Sequence, residues 1–181
     1  MVNCKLLLIG IVLIVLISGC AQQAQRPAES SSPPAQSQET KYSSSSGQIE
    51  FAKMPSWTLD ECKTCGKDEP LVSLNKNGAN VNFFVQESQT DIETTLSEFK
   101  GNLKELGGVD FKIISEEEIQ IDKNAAKHLV IQSIVENEER VQELALSVKG
   151  TKLYVISATY KSNDLQTKAE FKKLLESVKL V

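Results

Sequence analysis

Histidine is nearly missing from this sequence: His128 is the single one in 181 residues. That scarcity removes much familiar chemistry at the start. A serine-based triad would have to rest on His128, and no serine and acid stand around it in a recognisable setting. A structural zinc site commonly draws on two cysteine pairs, whereas Cys62 and Cys65 in "ECKTCG" form the one close pair, with Cys4 and Cys20 far upstream. Positive charge is also in short supply, since 20 Lys and Arg against 24 Asp and Glu leave a formal −4. No basic stripe for a nucleic acid and no polybasic segment for anionic lipid can be found. A phosphate-cradling loop is lacking, because Gly107 and Gly108 follow a helical pattern and close it. Nor does any loop carry the spaced Asp/Asn with central glycine of a calcium-binding EF-hand. The acidic groups Glu116, Glu117, Glu118 and Asp122, and Glu136, Glu138 and Glu139, fall at strand edges and turns, where they suit a solvated surface. The composition therefore calls for no cofactor and no metal.

A long hydrophobic run is missing too. Leu6 to Ile17, broken by Gly10 and preceded by Lys5, is twelve residues. Crossing about 30 Å of hydrocarbon takes about 20 helical residues, so this segment is too short to span. It has the length of the apolar core of a secretory signal. Ile17, Ser18, Gly19 and Cys20 follow, and this quartet resembles the lipobox of prokaryotic lipoproteins. The resemblance implies a diacylglyceryl group on the Cys20 thiol and cleavage that makes Cys20 the N-terminus. With about 0.8 kcal/mol per buried methylene, two chains anchor stably where one holds weakly. The expected place is the extracytoplasmic face of the cell membrane.

From Ala21 to about Gly47 the chain is nearly all Gln, Ser, Pro and Ala with a solitary Tyr42. Such a composition buries too little apolar surface to offset the entropy of ordering and reads as a disordered tether. Three regions are expected: residues 1–19 as signal peptide, 20–48 as acylated cysteine and Ser/Pro/Gln-rich linker, and 49–181 as one globular domain.

Within that domain Ile49 to Lys53 is a short possible strand, followed by an irregular passage around "MPSWTLDECKTCGKDEP". "NVNFFVQ" has the β-branched and aromatic content of a strand. Thr90 or Asp91 can cap a helix in which Ile92, Leu96, Phe99, Leu103 and Leu106 recur at steps of three and four. The period then changes to two. "VDFKIIS" and "EIQID" read as short strands, and "AAKHLVIQSIVE", "VQELALSVK" and "KLYVISATY" as a meander joined by tight turns. A last helix from about Leu165 to Val178 carries Leu165, Phe171, Leu174, Leu175 and Val178 as its apolar stripe. The expected class is α+β, an antiparallel sheet flanked by helices.

This order, with Trp57 ahead of the first core strand, "KNAAKHL" entering a long strand and a terminal helix ending in "LLESVKL", resembles the PsbP-like family, although Asn124 stands where many members have glycine. The resemblance covers roughly residues 49 to 181 and implies an α/β/α sandwich. It also implies a largely non-catalytic role in binding or stabilising partners, with no catalytic set to carry over. The function expected is a lipid-anchored, extracytoplasmic, non-enzymatic binding or assembly module of the cell envelope. Its partners would be the membrane, through the lipid anchor, and an unidentified envelope protein.

Cys62 and Cys65 leave three possibilities open. Outside the cytoplasm thiols oxidise, so a small-loop disulfide is one. A thiol-redox pair is the second, although Gly66 and Pro70 poorly support the helix N-terminus that lowers such a thiol's pKa. Metal binding is the third, if the fold brings His128 near. On its own, His128 reads as a partly exposed strand residue. Trp57 and Tyr154 read as core residues, and Trp57, Tyr154 and Tyr160 as alternative walls of a groove.

Overall fold

The computed structural model describes residues 40–66, 69–88, 90–105, 111–135 and 137–181. The leader, the Cys20 motif and the tether up to residue 39 lie outside the described residues, as do Leu106, Gly107, Gly108, Val109 and Glu136.

Seven strands pair antiparallel into one sheet: β3 (Thr58–Glu61), β4 (Val72–Lys76), β5 (Ala79–Glu87), β6 (Phe111–Ile121), β7 (Asn124–Val135), β8 (Glu138–Lys149) and β9 (Lys152–Lys161). Their spatial order is β3-β4-β5-β9-β8-β7-β6. Turn chemistry fixes much of this. Asn77 and Gly78, both at positive φ, close the β4–β5 hairpin, the Asn-Gly signature of a primed turn whose twist matches its strands. Asp122 and Lys123, also at positive φ, turn β6 into β7, and Asn124 Nδ2 donates to the Asp122 carbonyl at 2.9 Å. A second sheet, ordered β1-β2-β10, joins β1 (Lys41–Ser43), β2 (Ile49–Ala52) and β10 (Lys179–Leu180).

Because side chains alternate along a strand, the large sheet has two faces, and each carries its own core. On one face Phe84, Leu129, Ile131, Leu144, Leu146 and Val155 meet Leu96, Phe99 and Leu103 of α1 (Ile92–Glu105). On the other, Val81, Phe83, Ala145, Tyr154 and Ile156 meet Ile49 and Phe51 of β2 and Phe171 and Leu174 of α2 (Leu165–Ser177). Phe51 stacks on Phe83 with ring centroids 4.7 Å apart, locking the small sheet to the large one. Both helices start at an aspartate. Thr94 N donates to Asp91 Oδ1 at 2.8 Å and Thr167 N donates to Asp164 Oδ1 at 2.9 Å, each satisfying an amide that the helix leaves unpaired.

The α/β/α sandwich expected from the sequence is corrected by this architecture. Ten strands in two antiparallel sheets and two helices make up the described elements, so the fold is β-rich, and the second face is covered jointly by α2 and the three-stranded sheet. The difference comes from chain read as tether or irregular passage: it forms β1, β3 and β4, and β10 adds a further short strand. Within the segment expected to be linker, the Thr40 carbonyl accepts from Lys53 N at 2.8 Å and Lys41–Ser43 form β1. The two strands expected at "VDFKIIS" and "EIQID" are one, β6, interrupted by a register shift between Ile113 and Ser115. Leu165, placed on the buried stripe from its spacing, is 73% exposed.

Candidate binding groove

Helix α2 turns Thr167, Phe171 and Leu174 into the core. The neighbouring stripe, Leu165, Lys168, Ala169 and Lys172, faces a groove of about 620 Å³. Its opposite wall is Ser115, Glu117 and Ile119 of β6 with Val130 of β7, and His128 and Glu143 lie on its floor. Register explains the grouping. Glu117 pairs with His128 and Val130 with Glu143 across β6, β7 and β8, and period-two alternation points all four side chains to the α2 face.

The floor is a buried polar set. Glu143 is 5% exposed; its Oε1 accepts from the Tyr160 hydroxyl, and His128 Nε2 lies 2.8 Å from its Oε2. The histidine contact is close enough for an ion pair but is not aligned as a hydrogen bond. Burial pushes the Glu143 carboxyl upward, yet the His128 and Tyr160 contacts, helped by the nearby Lys168 charge, hold it below its ordinary value. Burial, then the Glu143 carboxylate, pushes the Tyr160 phenol well above its ordinary value. At neutral pH the carboxylate is therefore a fixed acceptor and the phenol a fixed donor. An apolar rim with Lys168 and Lys172 on one wall, Glu117 on the other and a pinned floor is suited to recognising a shape and charge pattern.

The residues singled out in the sequence separate in space. Cys20 lies outside the described residues. The Cys62 and Cys65 sulfurs are in bonding contact with Cα atoms 5.6 Å apart, a separation a disulfide spans, in the loop from β3 to β4. That loop enters a strand, with no helix N-terminus at the pair, and borders a separate crevice of about 760 Å³ with Glu69, Leu71 and Val85. Five steps along the sheet order separate β3 from β7, about 24 Å at the usual strand spacing, so the fold does not bring His128 to the cysteines. Among the described residues no three His, Cys, Asp or Glu converge as metal ligands. Trp57 is buried, and its Nε1 donates to Glu170 Oε2 at 2.7 Å; the Tyr154 hydroxyl donates to the Val181 carbonyl at 2.6 Å. Both are core residues, and Tyr160 alone of the three aromatics lies beneath the groove.

Sequence reasoning missed Glu143, Lys168 and Lys172. A signal for the first did exist: in "VQELALSVK" the inward positions read Val141, Glu143, Ala145 and Ser147, so a carboxylate stands where alternation calls for an apolar residue.

No protein-family model matches the chain, and no curated protein matches it. Solved structures do. Cyanobacterial PsbP from Synechocystis sp. PCC 6803 superposes with a TM-score of 0.61 at 15% identity, covering 83% of this chain and 98% of that one. LpqN of Mycobacterium tuberculosis, described as involved in cell envelope biogenesis, gives 0.59 at 13% identity over 80% and 91%. The Ran-binding protein Mog1p of Saccharomyces cerevisiae gives 0.51 at 12% over 75% and 84%. At these identities the likeness is one of fold, and the fold is PsbP-like. Among the described residues no helix is long and apolar enough to cross a membrane.

Proposed function

We propose that this protein is a non-enzymatic binding or assembly module, held by acylated Cys20 to the extracytoplasmic face of the cell membrane, which docks an envelope protein in the groove between α2 and β6–β8. The groove itself carries this reading. It combines an exposed apolar rim at Leu165, oppositely charged walls and a floor in which Glu143 accepts from the Tyr160 hydroxyl and lies against His128. Support for the class comes from the fold, since the PsbP, LpqN and Mog1p structures include proteins described by binding or by envelope biogenesis. Support for the anchor comes from the Ile17–Cys20 quartet. In the same reading Cys62 and Cys65 form a structural disulfide.

Photo-crosslinking in native membranes tests the docking. A crosslinking side chain at Leu165 should give a discrete adduct that is absent when the same group replaces Glu50 on the small sheet, and Val130→Asp should abolish it. Equal labelling from both positions, or an adduct indifferent to Val130→Asp, would remove the groove from the proposal.

A further inference from the structure

Strand β6 is an open edge. In the large sheet it pairs with β7 on one side and, among the described residues, with nothing on the other. The remaining sheet edges are short: β3, β1 and β10 have 4, 3 and 2 residues, against 11 in β6. So long a row of unpaired N–H and C=O groups is a template for a further strand, which is why folds shorten, charge or cover such edges. Register shows which groups are free. Ile121 and Asn124 flank the two-residue turn Asp122–Lys123, and the residues flanking such a turn exchange both of their backbone hydrogen bonds. Alternation from that pair turns the backbone of Ile119, Glu117 and Ser115 toward β7 and leaves the N–H and C=O of Gln120, Glu118 and Glu116 pointing outward. The register shift between Ile113 and Ser115 ends this regular stretch, and beside it Ile113 and Ile114 are 43% and 49% exposed.

Side chains along the edge select what pairs with it. Glu116, Glu117 and Glu118 are consecutive and exposed. Glu116 stands opposite Leu129, so it lies on the α1 face together with Glu118, while Glu117 lies on the α2 face. Lys100 pairs with Glu116, but Lys127 is shared between Glu93 at 2.7 Å and Glu118 at 2.9 Å, and Glu117 has no ion-pair partner among the described residues. Negative charge is therefore in excess along the middle of the edge, with Lys112 and Lys123 bracketing it at the ends. Two copies of this chain paired antiparallel over the whole of Ser115–Ile121 would set Glu118 against Glu118, and like charges directly opposite are destabilising. The edge rejects its own kind and suits a basic strand.

We infer that the outer edge of β6 is a second docking site, which takes an extended, basic segment of a partner protein as an added antiparallel strand. In that pairing the segment's amides and carbonyls meet those of Gln120, Glu118 and Glu116. Lysines or arginines at alternate positions stand across from Glu118 and Glu116, and apolar residues toward the segment's C-terminal end reach Ile113 and Ile114. Main-chain hydrogen bonds supply the affinity of such an added strand, and its alternate side chains supply the selectivity. The site goes beyond the α2 groove and does not depend on it. That groove lies on the face of the sheet, although Glu117 borders both.

The test titrates the full chain, in detergent, with the synthetic peptide TTVKVKTVV, read by calorimetry and by amide hydrogen exchange. The peptide should bind with a Kd of about 100 μM or tighter and slow exchange at the amides of Glu116, Glu118 and Gln120, whereas those of Ser115, Glu117 and Ile119 are already protected by β7. The same peptide N-methylated at its lysines and valines keeps the charge and loses the donors, so it should bind at least about tenfold more weakly. Glu118→Pro removes one outward N–H and leaves the β7 ladder intact; it should weaken binding of the unmethylated peptide about tenfold as well. Leu165→Asp, in the α2 groove, should leave that binding unchanged, so failure here and failure of the docking proposal are told apart. No binding at about 1 mM, equal binding of the N-methylated peptide or of TTVEVETVV, protection elsewhere than the β6 edge, or the same protection from concentrating the chain alone would overturn the inference. The peptide comparisons use the unaltered chain, so they decide even where Glu118→Pro does not fold.

Discussion

Glu170 shows how a half-buried carboxylate ties distant parts of this chain together. Its Oε2 accepts from Trp57 Nε1 at 2.7 Å and from Lys76 Nζ at 2.8 Å, and its Oε1 from Gln166 Nε2 at 2.9 Å. Lys76 Nζ also lies 5.7 Å from the centroid of the Trp57 ring. Burial alone would raise the Glu170 carboxyl, but the bonds from Lys76, Trp57 and Gln166 outweigh it and hold the group below its ordinary 4.5. The folded value being the lower one, the unfolded chain takes up the proton first as pH falls. The stabilisation is therefore complete above 4.5 and is lost as pH drops through the depressed folded value. Glu170→Gln should cost about 1.5–3 kcal/mol at neutral pH, a gap that narrows in acid. Denaturant titration followed by the fluorescence of Trp57, the sole tryptophan, measures both. Equal stability at neutral pH, or a gap that persists unchanged in acid, would contradict this account.

At the level of elements, the loop from β3 to β4 raises the question of what its cysteine pair contributes. β3 is one of the two edge strands of the large sheet, a place where strands pair on one side only and hold less tightly. Ser45 N also donates to Glu61, the last residue of β3, at 2.5 Å, so slack in this loop would reach the turn between β1 and β2. A disulfide closing so short a loop constrains the unfolded chain by about 2 kcal/mol at most. Unfolded without reductant, the full chain should expose no reactive thiol from Cys62 or Cys65, and Cys62→Ser/Cys65→Ser should lose about 2 kcal/mol or less. Stoichiometric labelling of both thiols would refute the pairing. This hairpin also marks the limit of what the sequence discloses. β5, β7, β8, β9 and both helices were legible because each carries enough apolar residues for its period to stand out. "KYS", "TLDE", "VSLNK" and "KL" do not: these strands are short and polar, and only their neighbours make them strands. The groove was legible in the same partial way. His128 stood out by rarity, but its contact with Glu143 depends on the β7–β8 register, which periodicity within either strand cannot supply.

For the whole molecule, the proposed anchoring sets a relation between the folded body and the membrane. The large sheet is clothed on both faces, and the first described strand, β1, pairs with β2 in the small sheet, so chain upstream enters there. On the proposed anchoring, a tether from Cys20 to Thr40, were it flexible, would have a root-mean-square reach of roughly 25 Å. In that proposal the body stays within about one domain diameter of the bilayer, and the sequence carries no polybasic segment to add to the hold. Attachment in that proposal rests on the acyl chains, at about 0.8 kcal/mol per methylene. Cys20→Ser should therefore lose the acyl mass, retain residues 1–19 and partition into membranes less tightly. The melting temperature of the body should not change, because both cores are built from residues between Tyr42 and Leu180. Mass spectrometry and carbonate extraction of the two chains read these outcomes. A native chain with an unmodified N-terminus, or a variant held as tightly as the native chain, would overturn the proposed anchoring.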